Sequence, residues 1–303
     1  MTQKIKLFYT KDWVDYEMLD TGEGEKLERF GKYVFGRPFE DAVWSRTLSK
    51  NEWSNIDGKF WSSKTGAKSG WKMETEIAPQ WEMSYKDIKF LASPTPFRHL
   101  SFFPEQASHW DLIEEKIKNC QKTTQRKIKF LNLFGYTGVA SLFALRAGAE
   151  VTHIDASKQT LQSVKENQKL NSHLGLDNMP IRILLDDAVK FIEREEKRGN
   201  KYDAIIMDPP KFGRGPKGEV WKIEEMLPKL LSQVRKILSD KPLFVILTSY
   251  SIDSSSLSLG YALEETMKDF KGTTEQGELC ILEKSNNRLI PLANTAVWTA
   301  LEK

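Results

Sequence analysis

The stretch KIKFLNLFGYTGVASLFALRAGAEVTHIDAS, residues 127–157, decides the fold class of this chain. An apolar strand runs into a turn with two glycines, a helix follows and closes at Gly148, and a second strand ends on Asp155. Strand and helix patterns continue to alternate from there to the end of the chain. Such alternation is typical of βαβ units. It predicts an α/β protein with a doubly wound, mainly parallel sheet of seven strands.

The first third of the chain has a different pattern. It consists of short strand-like runs, such as YEMLDTG and IKFLAS, which are broken by Gly, Asp, Asn and Pro. Seven of the nine tryptophans lie within the first 110 residues. These features predict a small β-rich domain over residues 1–95, followed by the domain with the parallel sheet over residues 96–303.

Composition indicates an ordinary globular chain of 303 residues with a net charge of only +3. An argument for nucleic acid must therefore rest on local charge. The longest apolar run, PLFVIL at 242–247, is far too short to span a bilayer, and the first residues have no apolar core of signal-peptide length. Two cysteines are too few for a disulfide framework. We therefore expect a cytoplasmic protein without a membrane segment.

Polar and glycine motifs follow the predicted strands, at the edge where an open parallel sheet binds its ligands. Gly135 and Gly138 allow a tight turn before a helix, and Asp155 can accept hydrogen bonds from a ribose diol. Asp186 and Asp187 end the third strand, where an adenine edge would lie or where a helix N-cap is needed. Because the dinucleotide fingerprint G-x-G-x-x-G is absent, a nucleoside ligand without phosphate is favoured over NAD.

The fourth strand ends in DPPKF, residues 208–212. Together with the preceding motifs it resembles class I S-adenosylmethionine-dependent methyltransferases, over roughly Leu131 to Ala300. FPEQASHWDLI and DPPKFGRGPKGEVW are similar, more narrowly, to a bacterial group related to methyltransferases of large-subunit ribosomal RNA. The resemblance implies a Rossmann-like methyltransferase domain over residues 96–303, S-adenosyl-L-methionine as cofactor and a small β domain in front of the catalytic one.

The resemblance also implies roles for individual residues. The cofactor-binding residues that it implies are Gln106, Phe134, Gly135, Tyr136, Gly138, Asp155, Asp187 and Asp208. In this set the glycine turn lines the methionine moiety, Asp155 holds the ribose, Asp187 lies on the adenine side, and Gln106 helps to close the pocket.

Methyl transfer needs a nucleophile that is placed near the methyl group and shielded from water. Asp208 and the carbonyl group of Pro209 are candidate acceptors that would orient a base, held still by the two prolines. Phe212 is a candidate stacking surface for a flipped base. Amino-group methyltransferases typically place the aromatic residue directly after the diproline, whereas Lys211 intervenes here.

Methylation of pyrimidine C5 requires a thiolate that first attacks C6. No cysteine follows the fourth or fifth strand, where the sequence reads DPPKF and TSYS with Ser249 and Ser251. Cys280 lies in an apolar run that indicates core burial. We therefore expect chemistry without a cysteine nucleophile. The four histidines show no metal-ligand spacing, so no metal is predicted.

An RNA substrate is suggested by two basic segments. Residues 44–71 interleave Trp53, Phe60 and Trp61 with basic residues, namely Arg46, Lys50, Lys59, Lys64 and Lys68. This pattern fits a single-strand RNA surface and equally fits an aromatic core with a basic rim. The segment KFGRGPKGEVWK, 211–222, predicts a mobile basic loop beside the methyl site. The alternatives are a protein or small-molecule substrate, and a non-catalytic RNA-binding assembly factor that retains the fold.

Overall fold

A computed structural model describes residues 4–62, 69–250 and 255–301. The strands are β1 Ile5–Phe8, β2 Tyr16–Gly22, β3 Glu25–Phe30, β4 Tyr33–Pro38, β5 Gly58–Trp61, β6 Gly70–Met73, β7 Trp81–Tyr85, β8 Ile88–Ala92, β9 Lys129–Leu133, β10 Glu150–Asp155, β11 Ile181–Leu185, β12 Ala204–Met207, β13 Phe212–Arg214, β14 Val220–Lys222, β15 Phe244–Ser249, β16 Gly272–Leu282 and β17 Leu289–Ala300. The α-helices are α1 Lys50–Ser54, α2 Ala107–Thr124, α3 Val139–Arg146, α4 Lys158–Lys169, α5 Ala188–Lys197, α6 Ile223–Ile237 and α7 Ser256–Met267.

The chain forms two compact units. The first comprises Met1–Phe8, Ser108–Leu279 and Leu292–Lys303, and the second comprises Tyr9–Ala107 and Cys280–Pro291. The predicted division at residue 95 stays a prediction. Within the three described ranges, no helix is both long and apolar enough to cross a membrane.

The first unit is organised by an eight-stranded sheet with the order β1-β16-β17-β15-β12-β9-β10-β11. From β15 to β11 all neighbouring strands are parallel, whereas β17 runs antiparallel to β15. The predicted α/β class with a mainly parallel sheet is confirmed. The eighth strand is β1, which pairs in parallel with β16 at the sheet edge. It comes from the N-terminal segment that the sequence pattern grouped with the small β-rich domain.

Both faces of this sheet are covered, as its uninterrupted apolar strands require. All four residues of β12 and all six of β15 are buried. On one face, α5, α6 and α7 pack against alternate strand residues such as Leu131, Ile205 and Val245. On the other face, α3 lies over Asn132, whose side-chain amide donates to Ser141 Oγ at 3.0 Å.

The second unit contains a five-stranded sheet, β2-β3-β4-β5-β6, and the hairpin β7-β8. Most of its tryptophans are buried or half-buried in aromatic clusters. The Trp81 ring stacks on Phe35 at 5.9 Å, and the Trp13 ring lies 4.8 Å from Tyr85. Aromatic pairs at these separations stabilise a fold by more than the burial of their apolar surface alone. The concentration of tryptophan in this part of the chain therefore reflects the packing of a small β core.

A buried polar cluster also lies within the second unit. The guanidinium group of Arg37 donates two hydrogen bonds to the carboxylate of Glu28, each 2.7 Å long, and Tyr16 Oη donates to the same carboxylate at 2.8 Å. Lys26 Nζ lies 3.4 Å from Glu28 Oε1. Burial, reinforced by the positive charge of Arg37, lowers the pKa of Lys26 to about 8, although Glu28 and Glu105 oppose this shift.

We expect the lowered pKa of Lys26 to make the second unit more stable at alkaline pH. An unfolded lysine keeps its proton up to about pH 10.4. Between pH 8 and 10 the unfolded chain therefore binds more protons than the folded one, and the free energy of unfolding rises with pH. Below pH 8 both states hold the proton and the slope vanishes. Tyr16 acts in the opposite direction only at higher pH, because burial raises its pKa well above 10.0.

Urea denaturation at pH 7.5 and 9.5 checks this expectation, with Lys26→Met as the comparison. The wild type should gain about 1 to 2 kcal/mol more than the variant between the two pH values. Equal pH dependence in the two proteins would contradict a lowered lysine pKa.

Candidate functional site

Four parallel strands end side by side at one edge of the large sheet. The register pairs Ile154 of β10 and Met207 of β12 with Leu133 of β9, and Asp155 with Leu185 of β11. The chain proceeds from β9 to β10 and β11 on one side and later returns to β12 on the other. The switch point therefore lies between β9 and β12, which is where open α/β sheets bind ligands. We call this place the switch crevice.

The turn after β9 has an unusual backbone. Phe134 and Tyr136 adopt left-handed conformations with φ of 57° and 52°, and Gly138 does so with φ of 83°. Left-handed backbone is uncommon for aromatic residues and stores about 1–3 kcal/mol at each position. Such strain concentrates at ligand-binding sites. The two glycines indicated a turn in the sequence, but nothing in the sequence indicated the strain at Phe134 and Tyr136, the aromatic residues on either side of Gly135.

Gly135 is required by close packing beneath the turn. A Cβ atom there would lie 2.3 Å from Cε1 of His153 and 2.9 Å from Cγ of Asn132. His153 is itself fixed, because its Nδ1 lies 3.0 Å from Ser141 Oγ, and burial lowers its pKa to about 4. His153 is thus a neutral core histidine, as its position inside a strand suggested. It supports the turn from below.

The carboxylate of Asp155 holds the same turn from the neighbouring strand. Its Oδ2 accepts the backbone N–H of Tyr136 at 2.9 Å, and its Oδ1 accepts Ser157 N and Thr160 Oγ1, both at 2.8 Å. Burial nevertheless raises its pKa, and the hydrogen bonds offset part of that effect. Asp155 therefore has a structural task in addition to the ribose contact that was predicted. No sequence feature indicated the contact with Tyr136.

The two aspartates after β11 have separate roles. Asp187 caps α5, because its side chain accepts the N–H of Lys190 at 2.9 Å. Asp186 pairs with Arg194 and accepts the N–H of Asp187 at 3.0 Å. One N-cap was expected in this pair, and Asp187 provides it. The contact of Asp187 with adenine stays a prediction.

Leu185 is a candidate that the sequence reasoning missed. It is the last residue of β11, lies in register with Asp155, and is 46% exposed. An apolar side chain at this position can contact a planar ring that lies beside the sheet edge. The only signal in the sequence was an apolar residue directly before the Asp-Asp pair.

Asp208 and the diproline continue β12 past the crevice. The backbone N–H of Asp208 reaches Leu133 O at 3.4 Å, which places Asp208 next to the turn after β9. No cis peptide bond occurs within the described residues, so both prolines there are trans. Pro209 is buried and Pro210 exposed. The structure thus brings Asp208, Asp155 and the glycine turn together at one edge.

The segment after the diproline is a β-hairpin, whereas a mobile loop was predicted. β13 and β14 pair antiparallel, with Phe212 opposite Lys222 and Arg214 opposite Val220. Trp221 anchors the hairpin, because it is only 5% exposed and its Nε1 donates to Pro210 O at 2.6 Å. The prediction failed since the glycines and lysines of this segment are typical of loops, and only Trp221 indicated an anchored structure.

The ring of Phe212 is 55% exposed, so it offers a face to a ligand. The ring of Phe134, in the turn after β9, packs against Trp221 at 5.0 Å. The hairpin and the turn are therefore in direct contact. Lys211, whose presence distinguishes DPPKF from the simpler base-amine motif, is exposed.

Gln106 belongs to the second unit, in the short 3₁₀-helix Pro104–Gln106, and is 6% exposed. Its predicted closure over the methionine end of the cofactor stays a prediction.

Neither cysteine is placed to attack a substrate. Cys280 is 1% exposed, as expected for a core residue. Cys120 lies near the end of α2, and the adjacent Gln121 donates to Gly148 O, just before β10 begins. Cys120 is therefore at the amino edge of the sheet, opposite the switch crevice. Ser249, at the end of β15, is buried, and Ser251 lies outside the described residues.

The segment 44–71, which combines basic and aromatic residues, packs largely within the second unit. Trp53 and Phe60 are 7% and 5% exposed, whereas Trp61 is 43% exposed. Of the two interpretations of this segment, an aromatic core with a basic rim accounts for Trp53 and Phe60. Only Trp61 keeps a ring available for stacking.

Two of the basic residues of segment 44–71 form ion pairs. Arg46 and Lys59 both contact the carboxylate of Glu25, at 2.5 and 2.6 Å. Lys64 and Lys68 lie outside the described residues. Among the residues that the structure describes, no group of three or more His, Cys, Asp or Glu side chains could hold a metal ion.

Comparisons with known proteins agree with this architecture. A family model described as Conserved hypothetical protein 95 matches residues 106–249. The crystal structure of a SAM dependent methyltransferase from Agrobacterium tumefaciens is 39% identical in sequence, covers 99% of this chain and 97% of that one, and superposes with a TM-score of 0.90. The tRNA (uracil-54, C5)-methyltransferase of Pyrococcus abyssi, 14% identical, shares the fold with a TM-score of 0.51 over 91% of this chain and 60% of that one.

A shorter match links the chain to named RNA-modifying proteins. Ribosomal RNA large subunit methyltransferase I of Aeromonas salmonicida (strain A449) is 38% identical over 85 residues, which are 28% of this chain and 21% of that protein. The match thus spans about a fifth of the length of this curated relative.

The packing beneath the turn makes a direct prediction. Gly135→Ala should lower the free energy of unfolding by about 1–3 kcal/mol, because the new methyl group collides with the ring of His153. His153→Ala removes that ring, so the same glycine substitution in the His153→Ala background should have a much smaller effect. Denaturation of the four proteins of this double-mutant cycle, followed by circular dichroism, measures the coupling. Additive effects would contradict the proposed collision.

Proposed function

The chain belongs to the S-adenosylmethionine-dependent methyltransferases, and we propose that it methylates a base of ribosomal RNA without a cysteine nucleophile. The main support for an RNA substrate is the 38% identity, over 85 residues, with a protein named ribosomal RNA large subunit methyltransferase I. That match covers only part of both chains, so the local chemistry of the switch crevice supplies the remaining support.

The crevice fits the cofactor in three respects. The left-handed turn after β9 lets a ligand approach the backbone, Asp155 offers a carboxylate to a ribose diol, and Leu185 offers an apolar contact to a planar base. When bound, S-adenosylmethionine supplies a methyl group on a positively charged sulfur atom. We assign its binding to Phe134, Gly135, Tyr136, Gly138, Asp155, Leu185, Asp187 and Asp208. The contribution of Gln106, which the resemblance implies, stays a prediction.

We assign substrate orientation to the continuation of β12. The carboxylate of Asp208 and the carbonyl oxygen of Pro209 accept hydrogen bonds from the target base, and the rigid diproline keeps both acceptors in place. The exposed ring of Phe212 stacks on that base. Positioning of this kind is the main requirement for transfer to a base, because the cofactor already carries a good leaving group.

The absence of a thiol from the crevice supports chemistry without a covalent enzyme–base intermediate. One cysteine is buried in the core and the other lies at the opposite edge of the sheet. Since attack on C6 of a pyrimidine needs a thiolate next to the base, we infer that the base acts directly as the nucleophile.

The contribution of the Asp155 carboxylate to cofactor binding can be measured directly. Asp155→Ala should weaken the binding of S-adenosylhomocysteine by about tenfold to a hundredfold, because hydrogen bonds to a charged group contribute about 1.5–3 kcal/mol. Thr160→Val removes one of the protein hydrogen bonds to the carboxylate and keeps the carboxylate itself. It should leave the affinity within about threefold of the wild type. Isothermal titration calorimetry measures both. Equal losses in the two variants would contradict the ribose contact, because Thr160→Val keeps both the carboxylate and its hydrogen bond to Tyr136.

The substrate assignment is checked with ribosomal RNA from cells that lack this protein. Purified protein should transfer labelled methyl groups to that RNA, and mapping should find one modified base that is missing in the cells. Asp208→Ala should reduce the rate by at least about a hundredfold, as expected when a reacting group is misplaced. Cys120→Ser should keep the wild-type rate. Label that enters only protein or small molecules would overturn the RNA substrate, and loss of activity in Cys120→Ser would overturn the direct mechanism.

A further inference from the structure

The hairpin β13–β14 has two chemically different faces. Its inner face consists of the opposed pair Gly213 and Trp221. Trp221 is buried in the core of the first unit, and a Cβ atom on Gly213 would lie 3.3 Å from Cγ of Pro210. The inner face is therefore fixed to the diproline and to the core.

The outer face of the hairpin is formed by the alternate residues Phe212, Arg214, Val220 and Lys222, all of them exposed. Phe212 and Val220 are 55% and 53% exposed. Side chains on one face of a two-stranded ribbon are neighbours. The outer face thus combines an aromatic ring, an aliphatic side chain and two cations within a few ångströms, and it starts four residues after Asp208.

The charge of this surface is positive and only partly neutralised. Within the part of the chain that the structure describes, Arg214 and the turn residue Lys217 form no ion pair. Lys222 pairs with Glu225 at 2.9 Å, and both side chains are more than half exposed, so this pair is weak. The only carboxylate of the hairpin, Glu219, is already paired with Lys190 at 2.6 Å. The hairpin therefore carries two cations without an ion pair among the described residues, Arg214 on the outer face and Lys217 in the turn.

We propose that the outer face of the hairpin, with Lys217 at its turn, holds an unpaired RNA strand next to the target nucleotide. This inference rests on the proposed function and narrows its substrate to a single-stranded segment. The target base stacks on Phe212, the next nucleotide lies over Val220, and the phosphates beside them contact Arg214 and Lys217.

The composition of the surface favours an unpaired strand over a duplex. In a duplex the bases are stacked on one another, and a protein reaches mainly phosphates and 2′-hydroxyl groups. An exposed aromatic ring then has no base to stack on. Unpaired bases expose their faces, and a groove that joins aromatic rings with cations is the usual way to hold them. An acidic protein would be attracted by the cations alone and would not depend on the ring.

Fluorescence anisotropy with the full-length protein, saturated with S-adenosylhomocysteine, tests the proposal. The probes are an unstructured RNA of about 12 nucleotides and a duplex of the same length. The double variant Arg214→Ala/Lys217→Ala should bind the unpaired RNA about tenfold more weakly. The slope of log affinity against log salt should fall by about 0.7 for each lost phosphate contact. Phe212→Ala should weaken binding by a similar factor, whereas Phe212→Tyr keeps the ring and should bind as the wild type does.

Lys165→Ala/Lys169→Ala is the matched control, since it removes two exposed cations of α4 that also lack ion pairs within the described ranges. It should leave RNA binding unchanged. An equal loss in the control, wild-type binding in the hairpin double variant, or duplex binding as tight as that of unpaired RNA would overturn the proposal. The proposal would also be overturned if polyglutamate displaced the RNA and Phe212→Ala left RNA binding unchanged.

Failure of this inference can be told from failure of the proposed function. If the wild type methylates ribosomal RNA and the Arg214→Ala/Lys217→Ala variant does so with unchanged KM, only the hairpin assignment is wrong. If the wild type binds S-adenosylhomocysteine but neither binds nor methylates any RNA, both are wrong.

Discussion

The hydrogen bond from the backbone of Tyr136 to the carboxylate of Asp155 is the contact on which the candidate site depends. It links the turn after β9 to the end of β10 and holds two aromatic residues in left-handed conformations that they would not adopt alone. The ring of His153 closes the space beneath Gly135, so the turn cannot relax downwards. A cofactor therefore meets a surface that is already formed, and little of its binding free energy is spent on ordering the protein.

Much of this arrangement could be predicted because it follows local rules. Alternating strand and helix patterns fix a parallel sheet, and parallel strands bring their carboxyl ends to one edge. Asp155, Gly135 and Asp208 were therefore correctly expected to lie at a common edge. The N-cap at Asp187 and the burial of Cys280 follow equally simple preferences for helix starts and for cysteine.

What escaped prediction depends on contacts between residues far apart in the chain. β1 joins the sheet by pairing with β16, which follows it by more than 260 residues. A strand of four residues is too short for its sequence pattern to predict this pairing. The hairpin was mistaken for a loop because its stability comes from Trp221, a single residue buried against Phe134. From the sequence, Trp53 and Phe60 fitted an exposed surface and a buried core equally well. The sequence does not show that Asp20 accepts the indole N–H of Trp53 inside the second unit.

The anchor at Trp221 has a consequence for how such a protein can change over time. The inner pair of the hairpin is tied to the diproline and the core, while residues 215–218 form a turn that is closed by hydrogen bonds within the hairpin. Substitutions or insertions in that turn leave the backbone around Asp208 undisturbed, because loop tips of this kind tolerate change. Under the proposed function, the reaction geometry depends on Asp208 and the diproline, whereas the contacts with RNA depend on the outer face of segment 211–222. On this proposal, selection can alter which RNA is held without first changing the residues proposed to position the methyl transfer.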